Sequence, residues 1–310
     1  MNADERRRRA RLPLAPTILS IALASACSQA TSEPPQAPVA ARAQPSASCP
    51  ATTGLDVDGD GLADEEETAL AQRFAPIVIL DPADRNRPAS IPWLFERAAR
   101  PTSGATSFRV PRSARGGSSR PEDWRVYVHV YPSASEPCGV HLQYWFFYPY
   151  NTGPLVFDHD SDWEHITVTL DGERAPKHVY LAQHRDDHPG VLRSWASMKK
   201  VGQHPVVLSA RGTHATYADA RRLPFFERAF SCDDLEHCAA PVWKTWLGGG
   251  IANVGERSRP LLDERALIYA GRWGKDGLLP GTAAPFGPLH HRGFCVDAFA
   301  ECRSAIATSR

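Results

Sequence analysis

The sequence has no surplus of either charge, since 35 basic side chains balance 35 acidic ones among its 310 residues. Proteins that bind along a nucleic-acid backbone need an excess of Lys and Arg, so a nucleic-acid partner is not expected. The sequence also lacks the patterns Gly-x-Ser-x-Gly, His-Glu-x-x-His, Gly-x-x-x-x-Gly-Lys and Gly-x-Gly-x-x-Gly. Their absence argues against the common serine hydrolases, zinc proteases and nucleotide-binding enzymes. By contrast, 27 prolines and 22 glycines indicate a loop-rich chain with short elements.

The first residues have the features of an export signal. Arg6 to Arg9 form a basic start, an apolar run extends from Leu14 to Ala24, and the small residues 24–26 directly precede Cys27. The apolar run is too short for a membrane span, which needs about 20 apolar residues. The bond before Cys27 fits the cleavage site of an ordinary secretory signal. It also fits the cleavage site of a bacterial lipoprotein, in which Cys27 becomes the first residue and carries the lipid. We favour the lipoprotein, exported from a bacterial cell to its envelope at the outer membrane, with secretion as the alternative.

The cysteine count supports this choice. Seven cysteines are an odd number for an oxidising compartment, and using Cys27 for lipidation leaves an even set. The remaining six cysteines can pair in many ways. Short separations favour local bridges, which gives three candidate disulfides: Cys232–Cys238, Cys295–Cys302 and Cys49–Cys138.

The chain after the signal is predicted to form one domain behind a linker. The predicted divisions are a signal peptide at 1–26, a flexible tether at 27–50, and a single β-rich domain at 51–310 that begins with a calcium-loop and helix segment at 51–76. Short helices are predicted over Asp64–Phe74 and within Pro92–Arg100.

Short β-prone runs dominate the rest of the chain. Strands are predicted at 126–131, 141–148, 166–170, 178–183, 205–209 and 266–269. These runs are separated by Gly, Pro and Asp, without long helical stretches between them. The pattern favours a mainly β fold, an antiparallel β-sandwich with a few short helices, with an α+β fold as the alternative.

An acidic loop at Asp56–Glu67 matches the twelve-residue calcium-binding loop at each liganding position. The expected oxygen ligands are Asp56, Asp58, Asp60, the carbonyl of Leu62, Asp64 and Glu67. So many carboxylates in one short loop repel one another unless a cation such as Ca²⁺ lies between them. The preceding segment Pro50–Leu55 cannot form the entering helix of a paired EF-hand, so a structural ion is expected rather than a switch. A solvated acidic turn that caps the next helix is the alternative.

A second acidic cluster stands at the start of a predicted strand. The two-residue period of a strand places Asp162 and Glu164 on the same face as Ile166, toward the core. Buried carboxylates need a cation, an Arg or a raised pKa. The candidate ligands of this central site are Asn151, His159, Asp162 and Glu164. Their mixed oxygen and imidazole donors favour Mg²⁺, Mn²⁺ or Ca²⁺ as a second divalent ion, with a purely structural network around buried Arg and Trp as the alternative.

Three further histidines are candidates of second rank. His165 follows Glu164 directly, and His184 and His214 each stand at the end of a predicted strand, where loops carry function. A hydrogen-bonded structural role is the commoner one for such residues. Tyr148 and Tyr150 are expected to be exposed beside the central site.

Several separated motifs resemble the vacuolar protein sorting-associated protein 62 family. They are His159–Leu170 with its Asp-Trp-Glu-His core, Val179–His184, Trp195, His204–Tyr217 and Gly271–Gly274, with Leu70–Pro76 and Asn253–Glu256 beside them. They agree in order and spacing over about residues 68–290. The family carries no agreed biochemical activity, and an exported form with disulfides departs from a cytosolic trafficking role, so vacuolar sorting is not transferred.

One stretch is also similar to the metal-binding region of the necrosis- and ethylene-inducing-like proteins, which are secreted β-sandwich cytolysins. The stretch is Tyr144–Asn151 followed by His159-x-x-Asp162-Trp163-Glu164. The likeness implies a divalent ion on Asn151, His159, Asp162 and Glu164, and binding of sphingolipid head groups. Asn151 stands where that family has an acidic ligand and Ser161 where it has a second histidine, which weakens the transfer of lytic activity.

Two function hypotheses follow. The favoured one is a binding module: an exported, lipid-anchored domain that binds divalent metal and a membrane lipid or glycan head group. The alternative is a metal-dependent hydrolase of the esterase or phosphodiesterase type. In that enzyme a metal on Asp162, Glu164 and His159 polarises a water or phosphoryl oxygen, and His165 or His184 moves the proton.

Overall fold

The structure, a computed structural model, describes Cys49 and residues 53–102, 104–134, 136–153, 158–183, 190–222, 239–261, 266–275 and 282–295. The predicted signal peptide, Cys27, nearly all of the predicted tether, His184, the predicted pair Cys232–Cys238 and Cys302 lie outside the described residues. In the part of the chain that is described, no helix has the length and apolar character needed to cross a membrane.

The helices and strands of the described residues have the following bounds. The helices are α1 (Asp64–Arg73) and α2 (Ile91–Phe95). The strands are β1 (Ile77–Leu80), β2 (Val126–Pro132), β3 (Val140–Asn151), β4 (His159–Leu170), β5 (Pro176–Leu181), β6 (Val191–Ser194), β7 (Lys200–Val201), β8 (His204–Ser209), β9 (Thr216–Tyr217), β10 (Val242–Lys244), β11 (Ile251–Asn253), β12 (Gly255–Glu256) and β13 (Arg259–Pro260).

Both helices begin where the sequence favours it. α1 opens with four acidic residues and has Arg73 in its last turn, which suits the helix dipole. α2 is capped by Ser90, whose hydroxyl accepts a hydrogen bond from the Trp93 N–H, and Pro92 lies in its first turn. Each helix is thus explained by local sequence, although α2 is shorter than the predicted helix.

Two mixed sheets form the β-sandwich. The central sheet has the order β11-β2-β3-β4-β5-β6, and the second sheet has the order β10-β1-β8-β7 with β9 also paired to β8. The pairs β1·β8 and β11·β2 are parallel, whereas the other pairs are antiparallel. The mainly β, sandwich-like fold predicted from the sequence is confirmed, and the two parallel pairs are the departure from a purely antiparallel arrangement.

The central sheet is covered on both faces. Tyr144 and Phe146 of β3 face a core shared with the second sheet, whereas Trp145 and Phe147 face a separate aromatic cluster around Trp273. Because side chains alternate along a strand, β4 presents Ile166, Val168 and Leu170 to the first core and Trp163 to the second. This alternation separates the predicted site residues into two groups.

One predicted strand is wrong. Residues 266–268 form a turn, closed by the hydrogen bond from the Tyr269 N–H to the Ala266 carbonyl. Ala266 and Leu267 are buried against the aromatic cluster, so their apolar character reflects packing of a turn and not pairing in a sheet.

The predicted disulfide Cys49–Cys138 is confirmed. It joins the end of the predicted tether to the turn that precedes β3. Cys295 is also disulfide-bonded, and its predicted partner Cys302 lies outside the described residues.

Candidate functional site

The acidic loop Asp56–Glu67 is wound around one of its own side chains. The Asp56 carboxylate accepts hydrogen bonds from the Gly59 N–H at 2.7 Å and from the Gly61 N–H at 3.1 Å. Both glycines adopt left-handed backbone, with φ of +78° and +95°, which a residue with a Cβ rarely adopts. The loop leads into the first turn of α1, where Glu67 is buried.

Carboxylates of the loop converge on one another. Oxygens of Asp58, Asp60 and Glu67 lie within 4.8 Å of one another, as do oxygens of Asp56, Asp58 and Asp64. Asp58 Oδ1, Asp60 Oδ2 and Glu67 Oε1 are buried and have no hydrogen-bond partner in the structure. Unpartnered buried carboxylate oxygens are costly unless a cation compensates them. The cluster therefore has the donors and the geometry to hold a metal ion.

Burial raises the pKa of three of these carboxyls. The pKa rises to about 9 for Glu67, about 7 for Asp60 and about 6 for Asp58. Loss of solvation is the largest cause in each case, and repulsion from the other acids of the loop adds to it. A cation among these oxygens favours the ionised forms and opposes both effects.

Two hydrogen bonds fasten the loop to a distant part of the chain. Asn253 Nδ2 donates to Glu67 Oε2 at 2.9 Å, and the Glu256 N–H donates to Asp58 Oδ2 at 3.1 Å. The Glu256 carboxylate in turn lies 3.0 Å from Nε2 of His129 on β2. The loop, the segment containing β11 and β12, and the central sheet therefore form one connected polar network.

A second polar cluster is centred on His214. Its Nδ1 lies 2.8 Å from Asp162 Oδ2 and its Nε2 lies 3.5 Å from Asp84 Oδ2. The imidazole stacks on Tyr148 with ring centroids 3.8 Å apart, and it has no solvent exposure. The cluster thus holds one imidazole between two nearly buried carboxylates.

Asp84 is a member of this cluster that the sequence did not reveal. Its Oδ2 accepts a hydrogen bond from the Gly212 N–H at 2.8 Å, and its Oδ1 accepts one from the Asn86 N–H at 2.8 Å. Gly212 has φ of +79°, and a Cβ there would collide with the Thr152 carbonyl. The one available signal was a polar run directly after the buried strand β1, which is where sites often form.

The four predicted ligands of the central site lie along β3 and β4. Asn151 is paired with His159, and His159 Nδ1 lies 2.7 Å from the Ser161 carbonyl oxygen. Asp162 contacts His214, whereas Glu164 is buried on the same face of β4. Among the described residues, two groups of three or more acidic, His or Cys side chains bring their possible ligand atoms close together. Both groups lie in the acidic loop and neither includes a residue of the central site. The second ion at the central site stays a prediction.

The second-rank histidines separate into different environments. His214 joins Asp162, but His165 lies on the opposite face of β4 with its ring 4.3 Å from that of Trp145. Burial lowers the pKa of His165 well below its ordinary value, and the nearby His291 adds to the shift. His165 therefore has the surroundings of a structural histidine.

The predicted exposure of Tyr148 is wrong. Only 1% of its surface is exposed, because His214 stacks on its ring. Its hydroxyl lies 3.0 Å from the Ser209 hydroxyl. Tyr150 is half-buried, with the Arg115 guanidinium 4.4 Å from its ring centroid.

Solved structures similar to this chain include necrosis- and ethylene-inducing-like proteins. The non-toxic HaNLP3 protein matches with a TM-score of 0.39 and 14% identity, over 69% of this chain and 82% of that one. Necrosis and Ethylene inducing Protein 2, from the causal agent of cocoa's Witches Broom disease, matches with a TM-score of 0.32 and 16% identity, over 54% of this chain and 76% of that one.

Two yeast proteins are similar to part of the chain, whereas no family model matches it. Vacuolar protein sorting-associated protein 62 of Saccharomyces cerevisiae is 30% identical over an alignment of 168 positions, and the match covers 44% of this chain and 35% of that protein. The Putative vacuolar protein sorting-associated protein TDA6 of the same yeast is 30% identical over 169 residues, with the same coverage. The match thus spans about a third of the length of either relative. The resemblance that the motifs indicate, to vacuolar protein sorting-associated protein 62, is confirmed.

Proposed function

We propose that this chain is an exported binding domain that holds a calcium ion in the loop Asp56–Glu67. The observation that carries the proposal is the set of three buried, unpartnered oxygens on Asp58, Asp60 and Glu67. Calcium is a hard cation that takes about six to eight oxygen ligands in flexible geometry, and this loop offers carboxylates and carbonyls in that number. Magnesium demands a stricter octahedron and keeps its own water molecules, so calcium suits the loop better.

The ion's role in this proposal is structural. The ligands Glu67 and Asp58 also accept the hydrogen bonds from Asn253 Nδ2 and the Glu256 N–H. These donors stabilise the ionised carboxylates that a cation requires. Calcium binding therefore strengthens the attachment of the loop to the segment containing β11 and β12.

Calorimetric titration of the mature protein with CaCl₂ tests the proposal. The wild type is expected to bind with release of protons, and Asp58→Asn is expected to weaken binding at least about tenfold, because it removes one charged ligand. Glu65→Gln is the matched control, since Glu65 is an exposed acid of the same segment. Absence of binding by the wild type, or equal affinity for Asp58→Asn and wild type, contradicts the proposal.

A membrane lipid or glycan head group is the proposed ligand, with Cys27 as the membrane attachment. Tyr150 supports this part, because its half-buried ring lies beside the carboxylates of Asp158 and Asp160 at the ends of β3 and β4. Sugar hydroxyls donate to carboxylates, and sugar faces stack on aromatic rings. Binding to phosphatidylcholine vesicles with and without a glycosphingolipid, for wild type and Tyr150→Ala, tests it. Equal binding to both vesicle types removes the head-group proposal.

A second divalent ion at the central site is the finer part of the proposal. Its support is the burial of Asp162 and Glu164 on one face of β4. Elemental analysis of the wild type beside the double variant Asp162→Ala/Glu164→Ala decides it. Two ions in the wild type and one in the variant support the central site, whereas one ion in both leaves only the acidic loop.

A metal-dependent hydrolase is the second candidate function. The contact of His214 with Asp162 favours it, because a carboxylate that orients an imidazole is a common arrangement for moving protons. Hydrolysis of p-nitrophenyl acetate and bis(p-nitrophenyl) phosphate with and without Mn²⁺ tests it. Metal-dependent turnover that is lost in His214→Gln supports the enzyme, and unchanged substrate after hours supports the binding module.

A further inference from the structure

A surface cavity of about 950 Å³ is lined by residues that belong to neither polar cluster. Its walls come from residues 100–102 and 104–107, from Ala266 and residues 268–272, and from Phe286. The walls are held together at Arg272, which forms a parallel bridge with Ser107 and an antiparallel bridge with Phe286. The cavity is therefore a defined feature of the fold, in the size range of small-molecule sites.

The charges at the cavity have one sign. Among the described residues that line it, Arg100 and Arg272 are charged and none is acidic. Arg272 Nη1 donates to the Ala284 carbonyl at 2.8 Å, and its guanidinium lies 4.7 Å from the Phe286 ring centroid. The Arg100 guanidinium lies 5.7 Å from the Phe95 ring centroid, and no described carboxylate pairs with it. The cavity is therefore complementary to an anion.

The rest of the lining is mainly apolar. Ile268 is 46% exposed although it is a large hydrophobic residue, and the rings of Tyr269 and Phe286 also form part of the wall. The Tyr269 hydroxyl is buried without a hydrogen-bond partner in the structure and lies against Gly271, where a Cβ would have no room. An exposed apolar wall beside the two arginines favours a ligand that combines a hydrocarbon part and an anionic group.

We propose that this cavity binds a single-chain anionic amphiphile, a fatty acid carboxylate. The hydrocarbon chain lies along Ile268 and Phe286, where it covers exposed apolar surface. The carboxylate lies at Arg100, whose planar guanidinium forms two parallel hydrogen bonds to a carboxylate. This site is independent of the acidic loop and of the proposed head-group site.

Calorimetric titration of the full chain with decanoate and dodecanoate, below their micelle-forming concentrations, tests the proposal. Dodecanoate is expected to bind more tightly than decanoate, by about fourfold for each added methylene that the wall buries. Dodecyltrimethylammonium, which has the same chain and the opposite charge, is expected to bind at least about tenfold more weakly than dodecanoate. Equal binding of the two dodecyl compounds overturns the proposal, as does absence of dodecanoate binding.

Variants locate the site. Ile268→Asp and Arg100→Gln are each expected to weaken dodecanoate binding about tenfold, and Arg100→Lys to restore part of it. Leu247→Asp is the matched control for the apolar wall, because Leu247 is 55% exposed and does not line the cavity. Thermal unfolding of each variant verifies that it folds. Folded Ile268→Asp and Arg100→Gln proteins with wild-type affinity overturn the proposal.

Discussion

Asn253 donates a hydrogen bond to the buried Glu67 carboxylate at 2.9 Å, across 186 positions of sequence. Its own Oδ1 accepts the Gly255 N–H at 3.1 Å, so the amide is held at both ends. The last carboxylate of the acidic loop is thereby oriented by a residue that belongs to a strand of the central sheet. The loop is local in sequence, but its closing side chain is positioned by tertiary structure.

Asn253→Ala is expected to lower calcium affinity about tenfold, because a hydrogen bond to a charged group contributes about 1.5–3 kcal/mol. Calorimetry with CaCl₂ measures the change. Asn253→Asp serves as a second variant, since a carboxylate facing Glu67 makes folding more dependent on calcium. Affinity for calcium that is unchanged in Asn253→Ala would show that Glu67 is positioned without this contact.

Acid is expected to destabilise the fold through its buried histidines. Burial lowers the pKa of both His165 and His129 below the ordinary value of 6.5. The unfolded chain binds protons on these groups as the pH falls below about 6.5, whereas the folded chain does not. The contribution of each of these histidines to the free energy of unfolding therefore falls with decreasing pH, by up to about 1.4 kcal/mol per pH unit.

Urea denaturation between pH 7.5 and pH 5 measures this slope. His165→Gln is expected to flatten it, because glutamine has no proton to gain in the unfolded state. A slope in His165→Gln as steep as in the wild type would mean that other groups cause the acid sensitivity.

Replacement of His214 is expected to leave the buried Asp162 carboxylate without its imidazole partner. His214→Leu should lower the free energy of unfolding by about 2–4 kcal/mol, because Asp162 then loses its contact at 2.8 Å. Asp162→Asn in the same background should restore part of the loss. A double-mutant cycle followed by urea denaturation measures the coupling, and additive effects of the two substitutions would argue against the pair.

The disulfide is expected to stabilise the fold by constraining the unfolded chain. Cys49 and Cys138 are 89 positions apart, and Cys49→Ser should lower the free energy of unfolding by about 2–4 kcal/mol. Cys138→Ser and the double variant should show the same loss, since any of them removes the whole bridge. A double variant that is much less stable than either single one would indicate a role for the thiols beyond the bridge.

Local patterns were sufficient for a large part of the fold and of the acidic loop. The spacing of Asp56, Asp58 and Asp60 predicted convergent carboxylates, because all the carboxylates that converge lie within twelve consecutive residues. The aromatic run of β3 and the alternation of side chains in β4 could be recognised as well, because each pattern lies within one short stretch of sequence. Cys49–Cys138 followed from pairing the more local cysteines first.

The polar cluster around His214 was only partly predictable. Asp162 and His214 were each identified, but nothing in the sequence pairs them with Asp84, which follows a different strand of the other sheet. The burial of Tyr148 depends on that same assembly, so its predicted exposure was wrong. The turn at 266–268 shows a further limit, since a short apolar run has the same composition whether it packs as a strand or as a turn.

The bridge between Cys49 and Cys138 also determines how the domain responds to mechanical load. Tension applied to the chain before Cys49 passes through the sulfur atoms to the turn at the start of β3, in the middle of the central sheet. The acidic loop lies inside the closed covalent ring and carries little of that force. A domain pulled from its N-terminal side therefore bears the load on its longest strands, while its acidic loop bears little force and keeps its geometry.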